Sequence, residues 1–228
     1  MERTSVDYRI ISIGALSVHE LWQQQGPART PHATTTLVRS EDRRILVDPG
    51  LPGQVIAARL GERAGLAPED ISDIFLTNFR PAHRRGLPTF PNARWLISEA
   101  ERENVGRALV EQLRDNEDDE ELAETLKQEI ALLQRCQPAP DQLAKHVDLF
   151  PLPGFTPGTA GLLLSHTNAT ILIAGDAVAT VEHLEHGRVL RHAFDAKQAR
   201  ESLAEALEIA DLIVPGHDNV TFNPTRRF

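Results

Sequence analysis

Four apolar runs end in side chains that can do chemistry: "LVDPG" delivers Asp48, "LTN" Asn78, "IAGD" Asp176 and "VPGH" His217. When several strands of a sheet release their polar residues at their C-terminal ends, those residues can converge on one edge, where α/β folds tend to place ligands. The loop that follows Asn78, "FRPAHRRG", adds His83 together with Arg80, Arg84 and Arg85. Imidazoles, carboxylates, an amide and guanidinium groups at one edge suit either a metal ion or an anionic ligand. The single cysteine, Cys136, excludes an internal disulfide and a cysteine-based zinc site. Any metal must therefore be held by histidine and carboxylate.

Positioning these side chains requires strands. "YRIISIGAL", "TTTLVR", "RRILVDPG", "SDIFLTN", "ARWLIS", "HVDLFPL", "AGLLLSH", "TILIAGD" and "DLIVPGH" read as strands, short runs of Ile, Val and Leu bounded by Gly, Pro, Asp or Asn. Helical patterns lie between them. Residues 53–65 carry Val55, Ile56 and Leu60 at helical spacing and stop at Gly65, a natural cap. "DAKQARESLAEALEIA" starts on Asp195 as N-cap and lines up Ala199, Leu203, Ala206, Leu207 and Ala210. The longest helical pattern runs from Glu99 to Arg135 and is broken by the acidic "RDNEDDEE", read as a solvated helix junction. No internal repeat or linker divides the chain, so residues 1–228 are expected to form one domain with a helical insertion at about 99–145.

Composition narrows the functional classes. The 228 residues are 41% apolar and 25% charged, ordinary for a globular protein with a real core. A net charge of −9 disfavours a phosphate-backbone binder, so no nucleic-acid partner is expected. No apolar run approaches the roughly 18 to 20 residues of a membrane span. "MERTSVDYRI" has no apolar signal region, and a cytoplasmic location away from membranes is the expectation.

The order "ILVDPG", "ISDIFLTNFRPAH", "FPNARWLIS", "PLPGFTPGTAGLLL", "ILIAGD" and "LIVPGH" resembles the metallo-β-lactamase superfamily over nearly the whole chain. The resemblance implies an α/β fold, a four-layer αβ/βα sandwich with a metal site at the edge between two sheets. It also implies a loop of the form T-H-x-H-x-D-H and a later P-G-H-T-P-G, and here the chain departs. Against "TNFRPAH", Asn78 and Arg80 stand at the first two histidines, Ala82 at the aspartate, and His83 at the last histidine. Against "PGFTPG", Phe155 stands at the third histidine, whereas Asp176 and His217 keep their places.

Sorted by metal, the resemblance implies loss of the first site, because an amide, a guanidinium and a phenyl ring are not zinc ligands. It leaves His83, Asp176 and His217 for the second, a legitimate set for one zinc, iron or manganese ion. Arg80 is the competing element: its permanent charge could pair with Asp176 and neutralise the site without any metal. Asp176, Arg80 and Asn78 are the residues expected to carry any chemistry. Asp48 carries over as a residue that orients the metal loop by hydrogen bonding. His32, His183 and His186 are candidate substitute ligands, and Gly154, Pro157 and Gly158 are turn formers.

Three functions stay open. One is a hydrolase with a single metal, cleaving a small ester, thioester, lactone or phosphodiester. Another is a metal-free pseudoenzyme that binds an anionic small molecule through Arg80. The third is an interaction protein whose helical insertion, residues 99–145, forms a homodimer face or a lid.

Overall fold

The computed structural model describes residues 6–22 and 28–226. Two six-stranded sheets lie face to face. The first runs β1 (Asp7–Ser12), β2 (Thr35–Ser40), β3 (Arg43–Val47), β4 (Asp73–Leu76), β5 (Arg94–Ile97), β6 (Gln137–Pro138). The second runs β12 (Thr221–Phe222), β11 (Leu212–Pro215), β10 (Ala169–Gly175), β9 (Ala160–His166), β8 (Val147–Pro151), β7 (Gln142–Ala144). In the first sheet β3, β4, β5 and β6 are mutually parallel, and in the second β10 and β11 are parallel, so the C-terminal ends of these strands share an edge of their sheet.

Side-chain alternation explains the layering. Along β3, β4 and β5, Ile45, Val47, Phe75 and Leu96 point to one face and meet Leu162, Leu164, Ile171, Ile173 and Val214 of the second sheet. Their neighbours Leu46, Ile74, Leu76, Trp95 and Ile97 point to the other face and pack on Ile56 and Leu60 of helix α1 (Gly53–Ala64) and Leu133 of α4 (Glu120–Arg135). The outer face of the second sheet, with Leu172, Ala174 and Ile213, is covered by Leu203 and Ala206 of α6 (Ala196–Ile209). Helix, sheet, sheet, helix is the four-layer αβ/βα sandwich of the metallo-β-lactamase type. Because both faces of the central strands are buried, their sequences read as continuous apolar runs.

The helix ends follow their local chemistry. Gly65 closes α1 with φ 65°, and the Asp195 carboxylate accepts the Lys197 and Gln198 amides at the start of α6. The acidic "RDNEDDEE" is a junction: α3 (Glu99–Asp115) ends inside it, and Asp119 caps α4 by accepting the Leu122 amide. Residues 99–145 fold as this helical hairpin followed by β6 and β7, one edge strand for each sheet. Val105, Leu109 and Leu132 of the hairpin pack against the core of the first sheet. Among the described residues no helix is long and apolar enough to cross a membrane.

Candidate metal centre

Strand ends supply the floor of the site. Asp48 follows β3, Thr77 and Asn78 follow β4, Asp176 follows β10, and His217 lies two residues beyond β11. Gly175 makes the turn into Asp176 with φ 54°, and a Cβ there would stand 2.4 Å from the Thr77 hydroxyl oxygen. His83 arrives on the short helix α2 (Pro81–Arg84), which begins on Pro81, a residue suited to a first turn.

These elements bring the three surviving side chains together. His83 Nε2 lies 2.7 Å from Asp176 Oδ2, and His217 Nε2 lies 2.8 Å from Asp176 Oδ1. One donor atom from each of His83, Asp176 and His217 falls within 4.8 Å of the others, the one such group of His, Cys, Asp or Glu found among the described residues. The far side of each ring is held: His83 Nδ1 is 3.0 Å from Asp48 Oδ2, and His217 Nδ1 donates to the His32 carbonyl at 3.0 Å. Asp48 is itself fixed by the Thr77 amide at 2.9 Å and the Thr77 hydroxyl at 2.7 Å. Both Nδ1 positions thus face acceptors, and both Nε2 positions face the same interior point. That is the arrangement in which outer partners set the tautomer of metal-binding histidines.

The charges of this cluster are strongly coupled. Complete burial by itself would lower the His83 pKa, but the Asp176 and Asp48 carboxylates raise it to about 10. Burial by itself would raise Asp176, yet His83 and His217 hold it well below the usual carboxylate range. Where protons close the two Nε2–carboxylate contacts, the cluster has the charge it would have with a divalent cation in their place. The donor set therefore fits a single divalent ion, whose binding would displace protons.

Arg80 does not neutralise Asp176. Among the described residues no ion pair joins them; the Arg80 guanidinium carbon instead lies 5.4 Å from the centroid of the Phe155 ring. Arg80 is the N-cap of α2, with extended backbone and an exposed side chain, so its guanidinium turns to the mouth of the site. The compensating groups are the two imidazoles and Asn78, whose Nδ2 donates to Asp176 Oδ2 at 2.9 Å. Asn78 Oδ1 in turn accepts the Arg80 amide at 3.0 Å. Arg84, grouped with Arg80 and Arg85 from sequence, points inward: it donates to the Phe79 carbonyl, pairs with Glu129 of α4 and lies 4.2 Å over the Phe79 ring.

The substitute histidines stay outside the cluster. His183 bonds Thr180 through Nδ1 at 2.9 Å, and burial with His19 nearby lowers its pKa to about 4. His32 contributes its carbonyl, while its Nε2 faces the Ile13 carbonyl at 3.2 Å. His186 is exposed.

Sequence reasoning missed Glu101. Its carboxylate is 1% exposed and accepts the Phe79 amide at 3.0 Å, the Thr156 hydroxyl at 2.6 Å and the Gly158 amide at 3.2 Å. It thereby bolts the loop carrying Asn78 and Arg80 to the loop carrying Phe155. The available signal was "SEAE", a Ser-x-x-Glu helix start that reads as reciprocal capping. The Ser98 half holds, accepting the Glu101 amide at 3.1 Å, while the Glu101 carboxylate faces the site loops. Gly158 allows the approach, since a Cβ there would stand 1.9 Å from the Glu101 nitrogen.

The profile of the family described as the Metallo-beta-lactamase superfamily matches residues 29–217. The chain belongs to this superfamily. Among solved structures, a metallo-beta-lactamase-type protein of Thermotoga maritima superposes with a TM-score of 0.68 at 18% identity, covering 96% of this chain and 99% of that one. AidC, a dizinc quorum-quenching lactonase solved with a product, gives 0.66 at 20% identity over 83% of this chain and 74% of its own. The hydrolase AbOPH gives 0.64 at 19% identity, covering 99% and 93%. At these identities the likeness is one of fold. Comparison with curated proteins finds no match.

Proposed function

We propose that this superfamily member is a hydrolase-like protein whose site takes at most one divalent metal ion, held by His83, Asp176 and His217, with the first family site lost. The observation that carries this reading is the convergence of three donor atoms within 4.8 Å, with each imidazole fixed from behind by Asp48 or the His32 carbonyl. The positions of the other site hold Asn78, Arg80 and Phe155, of which Asn78 is hydrogen-bonded to Asp176 and Arg80 has its guanidinium over the Phe155 ring.

A divalent ion held there would supply Lewis acidity toward the oxygen of a small ester, thioester, lactone or phosphodiester, and a lowered pKa for water. The chain's own residues do the rest. Asn78 keeps the Asp176 carboxylate oriented, Asp48 and the His32 carbonyl keep protons on the outer imidazole nitrogens, and Phe155 presents an apolar wall. The neighbours described as lactonases and hydrolases support an ester-like substrate class.

A second reading rests on one observation: Asp176 already receives three donors, from His83, His217 and Asn78, so the cluster is satisfied without a metal. Under it the protein is a non-catalytic binder of the same fold.

Elemental analysis of protein purified without added metal separates the two. About one zinc, iron or manganese per chain, lost in Asp176→Ala and in His83→Ala, supports the single-metal reading. Equal trace metal in all three proteins rejects it, and two metals per chain rejects both.

A further inference from the structure

The mouth above the metal centre is a cavity of 330 Å³, near the lower end of the roughly 300–1,000 Å³ typical of small-molecule sites. Its polar groups are unevenly engaged. The two carboxylates that line it already have partners: Asp176 takes His83, His217 and Asn78, and Glu20 pairs with Arg191 at 3.4 Å. The two guanidinium groups that line it do not. Arg80 and Arg85 are both exposed, and among the described residues neither has a carboxylate oxygen within 4.0 Å. The wall is therefore cationic in a chain whose net charge is −9. The remaining lining is largely apolar and includes Leu16, Val18, Phe155 and Leu190, with Leu16 packed against the cluster that holds Phe155 and Leu190.

We propose that this cavity binds an amphipathic carboxylate, with the carboxylate held by Arg80 and Arg85 and an aliphatic body lying against Leu16, Val18, Phe155 and Leu190. The assignment rests on the hydrolase-like reading only in taking the carboxylate as the part of the substrate that is not cleaved. The guanidinium fork matches a carboxylate in geometry as well as charge. Arg80 is constrained before any ligand arrives, with its amide fixed by Asn78 and its guanidinium resting over the Phe155 ring, so less side-chain freedom is lost when an anion binds. The cation thus stands beside the apolar wall, which is what a ligand with an anionic head and an apolar body requires.

The test is isothermal calorimetry with octanoate, its neutral isostere octanamide, and inorganic phosphate, on chelator-treated protein and on protein as purified. Expected are saturable one-to-one binding of octanoate in both preparations and at least tenfold weaker binding of octanamide and phosphate. Arg80→Gln should lower octanoate affinity at least tenfold and abolish its advantage over octanamide, while Arg80→Lys restores part of it. Arg85→Gln should act in the same direction with a smaller change. Arg80 is exposed, so the variants should melt as the parent does. Octanoate affinity unchanged in Arg80→Gln, equal affinity for octanamide, or tighter binding of phosphate would each overturn the proposal. Octanoate binding together with only trace metal in the protein as purified leaves this assignment standing and removes the single-metal reading; stoichiometric metal in the protein as purified with octanoate insensitive to Arg80 does the reverse.

Discussion

The floor and the lip of this cavity solve the same electrostatic problem in opposite ways. On the floor, His83, Asp176 and Asp48 are buried and bonded to one another, and Asn78 closes the remaining carboxylate valence. On the lip, Arg80 and Arg85 are exposed and free of carboxylate partners among the described residues. Buried charges must be compensated within the protein, whereas exposed ones are compensated by water. The permanent cation at Arg80 has turned outward, and the imidazoles together with an amide do the inner work. Mutations in the two regions should consequently differ in kind: floor variants should change stability, and lip variants should change ligand binding.

The largest effect is expected from Asp176→Ala, which leaves two imidazoles and the Asn78 amide buried without their common acceptor. Breaking a buried charge cluster by removing one member costs about 3–5 kcal/mol. Urea unfolding of the metal-free protein should show a fall of that size; a loss under about 1 kcal/mol would mean that the floor relaxes into a hydrogen-bonded alternative.

Next comes Glu101→Ala, which strands the Phe79 and Gly158 amides and leaves the Thr156 hydroxyl with the Thr159 hydroxyl as its partner. At about 1–3 kcal/mol for a buried unsatisfied donor, and with partial rescue by water, a loss of about 2–3 kcal/mol is expected. Because the same carboxylate joins the two lip-bearing loops, octanoate affinity should fall with stability, and Glu101→Gln should recover part of both. A Glu101→Ala protein that is destabilised but binds octanoate at full strength would separate the lip from its bolt.

The difference between the regions also governs what was legible beforehand. The central strands were readable because burial on both faces makes them unbroken apolar runs, and the polar residues at their ends were readable as misfits. β6, β7 and β12 were not, since two or three residues with polar or proline content carry no periodicity. Convergence of Asp176, His217, His83 and Asn78 followed from strand ends lying on one edge. The direction taken by Arg80 did not follow: residue spacing is silent on whether an N-cap residue turns its long side chain inward or out. Glu101 was hidden by a second, local explanation for a glutamate at that place. Sequence patterns report local rules, and a residue that satisfies one of them gives no sign of a longer-range bond.

Smaller in effect is the pH dependence of the floor. The His83 pKa is raised from 6.5 to about 10 in the folded protein, so its contribution is complete below about 6.5 and is lost as pH rises through 10. Asp176 is depressed from 3.8, so its contribution is present above that value and is lost as pH falls through the lower folded one. Metal-free protein should thus be most stable between about pH 4 and 6.5 as far as this pair is concerned, and should lose at most roughly 1.4 kcal/mol per pH unit for one proton above that window. Chemical denaturation at pH 6, 7, 8 and 9 measures the slope, and His83→Asn should flatten it; an unchanged slope in that variant would place the titrating group elsewhere.

The smallest stability change belongs to the lip. Arg80→Ala removes an exposed side chain whose guanidinium lies over the Phe155 ring, and surface changes of this kind stay within about 0.5 kcal/mol. The melting temperature should be nearly that of the parent while the advantage of octanoate over octanamide disappears. A substantial fall in stability would mean that the guanidinium supports the fold through Phe155, and the division between a floor that folds and a lip that binds would then fail at its simplest point.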